Sequence, residues 1–184
     1  MLRSCVDIIR RRGPGAVSIE GVAREAGVGK QTIYRWWPSR GALLIDAMVT
    51  GRGAVELELP DTGDLHADLR HVLGAVVGVL TGEQGPLLAA VLGEMQRDQV
   101  LRGAFDRAIF EPVRGRYRER LATARLREPR SEHWPDDDTI LDMAFGPLWF
   151  RLLTRPEHLG PRFAADVAES VAHLLTGLPR PADG

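Results

Sequence analysis

The chain has 184 residues, of which 44% are hydrophobic and 27% are charged, a composition typical of a globular protein with one domain or two small ones. It contains no apolar run of about 20 residues and no charged-then-apolar leader. This pattern argues against a membrane-spanning or secreted protein, and we expect a cytoplasmic location. The single cysteine, Cys5, excludes an internal disulfide and favours a buried structural thiol over a redox switch.

The net charge of −1 hides an uneven distribution along the chain. Residues 1–53 hold nine basic and four acidic side chains, a net of +5, so the remainder carries −6. A basic head on an acidic body is typical of a DNA-binding module joined to a domain that does not bind DNA. Lys30 is the lone lysine among 24 basic residues, which is a weak hint of function because genomic base composition also explains an arginine bias.

Three helices are predicted within the first 37 residues. The first covers about Leu2 to Arg12 and ends at Gly13-Pro14-Gly15. The second begins after Ser18, whose hydroxyl can cap the helix, and its apolar positions follow a helical spacing. Gly27 ends this helix because glycine adopts positive φ without steric cost.

The third helix begins near Lys30 and stops by Trp37, because Pro38 disfavours helical geometry in the residue before it. Ile33, Trp36 and part of Trp37 are predicted to pack inward. The outward set is polar and consists of Lys30, Gln31, Thr32, Tyr34 and Arg35. In protein–DNA complexes, lysine and arginine neutralise phosphates, and glutamine and threonine bind base edges. A tyrosine hydroxyl can bind a phosphate of the DNA backbone.

A helix, a short glycine turn and a polar helix form the helix-turn-helix arrangement of DNA-binding proteins. An ordinary αα-hairpin with a polar second helix is the alternative on spacing alone. The run GVAREAGVGKQTIYRWWPSRGALL, with the preceding SIE, closely resembles the DNA-binding segment of the TetR/AcrR family of bacterial transcriptional regulators, over residues 4 to about 48. The resemblance implies a double-stranded DNA partner. The implied DNA-binding residues are Ser18, Lys30, Gln31, Thr32, Tyr34, Arg35 and Arg40.

A fourth helix, capped by Ser39, is predicted to pack on this head and to run past Gly51 and Gly53 toward Leu57. The two glycines indicate either a flexible joint or simple fraying of the helix end. The turn cluster at residues 60–64 then separates head from body. We therefore divide the chain into a helix-turn-helix domain, 1–52, and an effector-binding and dimerisation domain, 53–184.

The body is predicted to be helical throughout, with no alternating strand pattern. Apolar stripes predict helices near residues 65–80, 88–95, 100–127, 139–154 and 161–176, with Pro112 kinking or splitting the third of these. Residues 128–138 are predicted to form a loop. The predicted fold class is all-α, with about nine helices in total.

The body resembles, more loosely, the ligand-binding and dimerisation domain of the same family, in PDTGDLHADL, GEMQRD and FGPLWFRLLTRPEHLGPRFAADVAESVAHLLTGL. The resemblance implies a homodimer on a palindromic operator, with the last two helices at the interface. Core packing is the alternative explanation of their broad apolar stripes, but we favour dimerisation because two heads reading two half-sites gain affinity and specificity. The candidate interface residues are Leu141, Phe145, Leu148, Leu152, Val167, Val171 and Leu174. For a small apolar or aromatic effector, the candidate pocket residues are His71, Phe105, Phe110, Tyr117 and Trp149.

No catalytic or metal-binding pattern is found. The five histidines include no i, i+4 pair, there is no phosphate loop, and there is no GxSxG nucleophile motif. We predict a DNA-binding regulator that acts as a ligand-released repressor, is not an enzyme and needs no cofactor or metal. The alternatives are a helical small-molecule carrier or enzyme that keeps the helix-turn-helix only as scaffold, and a protein-interaction module with a basic head.

Overall fold

The computed structural model describes residues 1–51, 60–128 and 131–176, and within these ranges it contains ten α-helices and no β-strand. The all-α prediction is confirmed. The count of about nine holds if α7, the π-helical turn Asp106–Phe110 and α8 are taken as one continuous helix. The helices are α1 (Leu2–Arg12), α2 (Ile19–Ala26), α3 (Lys30–Trp36), α4 (Arg40–Gly51), α5 (Leu65–Thr81), α6 (Gln84–Met95), α7 (Gln99–Phe105), α8 (Glu111–Arg127), α9 (Asp137–Thr154) and α10 (Pro161–Thr176).

Two compact units make up the chain, and neither is a single continuous segment. The described part of the N-terminal unit holds residues 1–51 and 82–110, so α6 and α7 pack with the first four helices. The described part of the C-terminal unit holds residues 60–81, 111–128 and 131–176. The two units cannot be separated by a single cut in the sequence, because α6 and α7 follow α5 along the chain but pack on α4.

The N-terminal unit has a continuous apolar core. α1 packs on α2 and α4, and α4 packs on α6 and α7. Cys5, Val22, Ile33, Leu43 and Leu44 are all fully buried in it. Burial raises the pKa of the Cys5 thiol to about 11, so the thiol stays protonated near neutral pH. Cys5 is therefore a buried structural thiol, as the sequence predicts.

In the C-terminal unit, α10 lies against α5 and α9, and α9 also contacts α8. Its core includes Val72, Leu73, Tyr117, Leu121 and Leu148, each 2% exposed or less. Two charged residues are buried among these apolar side chains, Asp68 on α5 and Arg120 on α8. The Arg120 guanidinium pairs with the Asp68 carboxylate, which compensates both charges inside the core.

Local sequence signals account for most helix ends. The Gly21 amide donates to Ser18 Oγ at 3.0 Å, and the Ala42 amide donates to Ser39 Oγ at 3.1 Å, so both predicted caps are present. Gly27 ends α2 with φ 67° and ψ 28°, the left-handed conformation predicted for it. Two helices begin earlier than predicted: α6 begins at Gln84, with Pro86 in its first turn, and α9 begins at Asp137, with Asp136 as its cap.

Pro112 is the second residue of α8 and directly follows the π-helical turn Asp106–Phe110, so the chain bends its helical pattern where proline cannot donate a hydrogen bond. The α7–α8 pattern is accordingly interrupted by the π-helical turn before it. The predicted continuation of α4 past Gly51 to Gly53 and Leu57, and the predicted boundary between residues 52 and 53, lie outside the described residues. Across the described ranges, no single helix is long and apolar enough to cross a membrane. Helices α5 and α6 reach the required length and apolar composition only when they are counted together.

Gly41, at the start of α4, leaves no room for a side chain. A Cβ atom there would lie 2.6 and 2.8 Å from the two methyl groups of Leu101, which is 3% exposed on α7. Gly41 thus permits the close approach of α4 and α7 within the N-terminal unit.

We expect Gly41→Ala to lower the free energy of unfolding by about 1–2 kcal/mol, because overpacking outweighs the roughly 1 kcal/mol gain in helix propensity. Denaturant unfolding followed by circular dichroism measures the change. Gly78→Ala on α5 is the matched control, since a Cβ there meets nothing within 4 Å of the described structure. An equal, stabilising effect of both substitutions would refute the packing role of Gly41.

Candidate nucleic-acid interface

The helix-turn-helix is built by α2, a tight turn and α3. Val22 and Ala23 bury one face of α2, and the Val28 amide donates to the Ala23 carbonyl across the turn at 3.0 Å. Ile33, which is fully buried, holds α3 against the rest of the unit. Since Ile33 is the one fully buried side chain of this seven-residue helix, the remaining positions are available for a surface.

That surface carries the polar residues that the sequence predicts. Lys30, Gln31 and Arg35 are exposed, Tyr34 is 47% exposed, and Thr32 is half-buried. Ser18, also half-buried, uses its hydroxyl oxygen to cap α2 and keeps its hydroxyl proton for another acceptor. The arrangement presents donors with the chemistry that binds phosphates and base edges.

Lys30 is paired within the protein. Its Nζ donates to Glu20 Oε1 at 2.9 Å, and both side chains are more than half exposed. The hydrogen bond lowers the pKa of the Glu20 carboxyl and raises the pKa of the Lys30 ammonium. Exposed pairs of this kind contribute little to stability. Lys30 can therefore exchange Glu20 for a phosphate at small cost.

The two tryptophans at the end of α3 differ in exposure, and the prediction for Trp36 is wrong. Trp36 was predicted to pack inward, but it is 63% exposed beside Tyr34 and Arg35. Trp37 is only 8% exposed, and its Nε1 donates to Asp46 Oδ2 at 2.9 Å. The reason is that α3 stops at Trp36, and the extended backbone of Trp37 (φ −129°, ψ 102°) directs that indole toward α4. Sequence reasoning thus missed an exposed indole on the candidate interface.

Arg40 has partners inside the N-terminal unit. Its Nε donates to the Val17 carbonyl at 2.8 Å, and its Nη1 forms a salt bridge with Glu94 on α6. These groups border a cavity of about 490 Å³ that Gly93 and Arg97 also line. A phosphate contact of Arg40 would therefore compete with Glu94 for the guanidinium, and the contact stays a prediction. No periodicity of the sequence signals this link, because the two residues are 54 positions apart.

The effector-pocket candidates fall in different parts of the structure. Phe105 is buried in the N-terminal unit, with its ring 6.4 Å from that of Phe110. In the C-terminal unit, Tyr117 is 2% exposed, Trp149 is half-buried and His71 is exposed. None of the five lines the cavity at Arg40. None lines the cavity of about 430 Å³ in the C-terminal unit, whose lining includes Arg120, Ala124, Trp134 and Ala172.

Most interface candidates face the core of their own unit. Leu141, Leu148, Leu152, Val167 and Val171 are each 8% exposed or less, and only Leu174, at 50%, is exposed. Phe145 is half-buried and stacks on Tyr117 with ring centroids 5.0 Å apart. These five residues therefore offer little accessible area for a dimer contact, and their place at an interface stays a prediction. A broad helical stripe does not indicate which of its edges faces inward.

The opposite side of α9 exposes a second apolar set. Met143 is 39% exposed, Phe150 is 58% exposed and Leu153 is 53% exposed, at a spacing that places them along one face of the helix. Together with Leu174 of α10, these residues form what we call the α9–α10 apolar surface. Met143, Phe150 and Leu153 were not among the sequence candidates, whereas Leu174 was.

Comparison with known proteins identifies the family. Residues 2–47 match the family model described as bacterial regulatory proteins, tetR family, and residues 59–171 match the model of the tetracyclin repressor-like C-terminal domain. The chain belongs to the TetR family of bacterial regulatory proteins. Members of this family are helix-turn-helix transcriptional regulators, and this chain is therefore one of them by class.

Relatives match over nearly the whole chain. The uncharacterized HTH-type transcriptional regulator YdeS of Bacillus subtilis is 26% identical over 91% of this chain and 83% of its own length. The crystal structure of the TetR-family regulator SCO0332 has a TM-score of 0.72 at 32% identity, covering 97% of this chain and 96% of that one. Thermus thermophilus FadR, a TetR-family repressor in complex with lauroyl-CoA, has a TM-score of 0.68 at 23% identity and covers 100% and 97%.

Proposed function

We propose that this TetR-family protein is a homodimeric repressor that binds a palindromic DNA operator through α3 and is released by a small apolar or aromatic ligand. The observation that carries the DNA-binding part is the exposed surface of α3. Ile33 and Trp37 anchor this helix, while Lys30, Gln31 and Arg35 project from it.

In this proposal, α3 enters the major groove. Gln31 and Thr32 contact base edges there, because glutamine pairs with adenine in a bidentate manner and threonine with several bases. Lys30, Tyr34, Arg35 and Ser18 contact phosphates and fix the orientation of the head. We add Trp36, whose indole is 63% exposed and offers an apolar face to the sugar–phosphate backbone.

A single small head gives little affinity, so two heads reading half-sites about 34–36 Å apart are the usual solution. The α9–α10 apolar surface supports a second copy of the chain as the partner. A C2 interface needs a self-complementary patch, and apolar residues meet that condition without requiring matched charges. The family resemblance implies a dimer contact on these same two helices, which supports this choice of partner.

Ligand release requires two states with different head separations. The repressor FadR of Thermus thermophilus, similar in fold, is described in complex with lauroyl-CoA, which supports a ligand-responsive body. A ligand that binds one state more tightly shifts the population toward it. The Arg40–Glu94 salt bridge ties the start of α4 to α6 and is a contact that such a shift would change.

The proposal is tested by a genome-fragment selection with the purified protein, followed by footprinting at two salt concentrations. A short palindromic footprint with a steep salt dependence is the expected result. Weak binding that is independent of sequence would overturn the proposal and favour a carrier that retains the helix-turn-helix as scaffold.

We expect Arg35→Ala to weaken binding to specific and random DNA alike and to lower the salt slope, d log K/d log[salt], by about one unit, because one phosphate contact is lost. Titration of a labelled operator at several salt concentrations measures the slope. Arg107→Ala, an exposed arginine of the π-helical turn, is the control and should leave the slope unchanged. An unchanged slope for Arg35→Ala would remove Arg35 from the phosphate contacts.

A further inference from the structure

The cavity at Arg40 lies beside the helix-turn-helix, inside the N-terminal unit. Its walls come from the short 3₁₀ turn Pro14–Ala16, from the start of α4, and from the last turns of α6 with the two residues that follow it. Helix α6 contacts both that turn and α4. The Val17 carbonyl, which accepts from Arg40 Nε at 2.8 Å, directly precedes Ser18, the cap of α2. The cavity therefore borders the N-terminal end of α2.

Arg97 is an exposed cation on the wall of this cavity. Its amide donates to the Glu94 carbonyl at 3.0 Å, which fixes its backbone at the end of α6. Among the residues that the structure describes, its guanidinium has no hydrogen-bond or ion-pair partner. The neighbouring carboxylate, Asp98, caps α7 by accepting from the Leu101 amide at 3.0 Å. Arg97 can therefore take an external anion without losing an internal contact.

The charge and the shape of the cavity both favour an anion at Arg97. Its lining holds two arginines, Arg40 and Arg97, against one carboxylate, Glu94, which already pairs with Arg40. Gly15 and Gly93 also line it, and a Cβ atom added at either glycine would meet nothing within 4 Å of the described structure. The space is thus open to solvent, and a bulky anionic polymer can approach it.

This openness favours a phosphate of DNA over a free small anion. A small anion would gain one exposed ion pair, and such pairs contribute about 1 kcal/mol or less. An operator phosphate reaches Arg97 as part of a molecule that α3 already holds, so even a weak contact adds to the affinity. A DNA strand that passes the end of α2 at Ser18 has the cavity at Arg40 as its neighbour.

We propose that Arg97 binds a backbone phosphate of the operator beside the half-site that α3 reads. A residue outside the helix-turn-helix, at the end of α6, then takes part in DNA binding. Phosphate contacts add affinity and fix orientation without reading sequence, so Arg97 is a positioning residue. This inference rests on the proposed function, because it requires an operator bound through α3.

Arg97→Ala should lower the salt slope of operator binding by about one unit and weaken binding at physiological salt about fivefold, because one phosphate contact is lost. Arg97→Lys should keep the parental slope, since the positive charge stays. Arg107→Ala is again the control and should change nothing. A parental slope for Arg97→Ala would overturn the inference, and a slope as low for Arg97→Lys would assign the effect to lost packing.

Operators with single neutral methylphosphonates locate the contact. One position should weaken binding of the parent and of Arg107→Ala but have little further effect on Arg97→Ala. That position should differ from the one coupled to Arg35, and Arg35→Ala/Arg97→Ala should lower the slope by about two units. If every position affects Arg97→Ala as it affects the parent, Arg97 binds no particular phosphate and the inference fails while the proposed function stands. A parent protein that binds no operator would instead overturn the proposed function, and this inference with it.

Discussion

Arg120→Met is expected to lower the free energy of unfolding by about 3–5 kcal/mol, because it leaves the Asp68 carboxylate buried without its counter-charge. Asp68 has no exposed surface. Its remaining contacts, the Thr62 hydroxyl at 2.7 Å and the Thr62 amide, are neutral donors that do not replace a guanidinium. Chemical denaturation followed by circular dichroism measures the loss. Calorimetry should show a melting temperature lower by several degrees.

The matched control is Arg116→Met, which makes the same substitution at an exposed position of the same helix and should change stability by less than about 0.5 kcal/mol. The double variant Asp68→Leu/Arg120→Met removes both charges, and it should recover most of the loss because no buried charge remains uncompensated. If Arg120→Met alone costs no more than Arg116→Met, the pair does not stabilise the C-terminal unit.

The pair also shows what the sequence contains beyond simple periodicity. Asp68 occupies an inward position of α5 beside Leu69 and Val72, and Arg120 does the same on α8 beside Tyr117 and Leu121. A charged residue at an inward position needs a partner of opposite charge. Two such positions with opposite charges on neighbouring stripes were a usable signal. The helical periodicity predicted both apolar stripes. The charged residues within them, Asp68 and Arg120, were not interpreted as partners in a contact between the two helices.

Helix ends and the helix-turn-helix were predictable because they depend on local chemistry. Ser18 and Ser39 cap their helices, and Gly27 adopts positive φ, within a few residues of the signals themselves. The inward turn of Trp37 was harder to predict. Two adjacent tryptophans at a helix end look alike in a helical pattern, and only the extended backbone at Trp37 separates them.

Contacts between distant parts of the chain were the least predictable. The grouping of α6 and α7 with the N-terminal helices depends on close packing such as that of Gly41 on Leu101, and on the Arg40–Glu94 salt bridge. Neither leaves a periodic trace in the sequence. The same reason explains why the effector-pocket candidates, four aromatic residues and His71 as a polar contact, line neither cavity. A cavity forms where side chains are too small to fill the space, as at Ala124 and Ala172, and such positions look unremarkable in a sequence.

The α9–α10 apolar surface leads to the prediction with the largest effect on DNA binding. Phe150→Glu places a carboxylate at the centre of the apolar set, between Met143 and Leu153. If this surface contacts a second copy, the carboxylate is buried in both subunits at once, and the dissociation constant of the dimer should rise on the order of 100-fold or more. Sedimentation velocity across a concentration series measures this constant. Operator affinity should fall with it, by about 10²–10⁴, because the second head no longer binds as part of the same molecule.

Two variants separate this effect from a general response to added charge. Leu126→Glu, on α8, replaces an apolar side chain that is 90% exposed and lies off the α9–α10 apolar surface, so it should leave both constants unchanged. Phe150→Ala adds no charge, and it avoids a new ion pair with Arg155, whose guanidinium lies 6.0 Å from the Phe150 ring. It should weaken the dimer in the same direction by a smaller factor, because apolar contact area is lost without burying a carboxylate. A Phe150→Glu protein that remains dimeric with parental operator affinity would place the dimer contact elsewhere on the molecule, whereas monomers that bind the operator as tightly as the parent would show that a single head suffices.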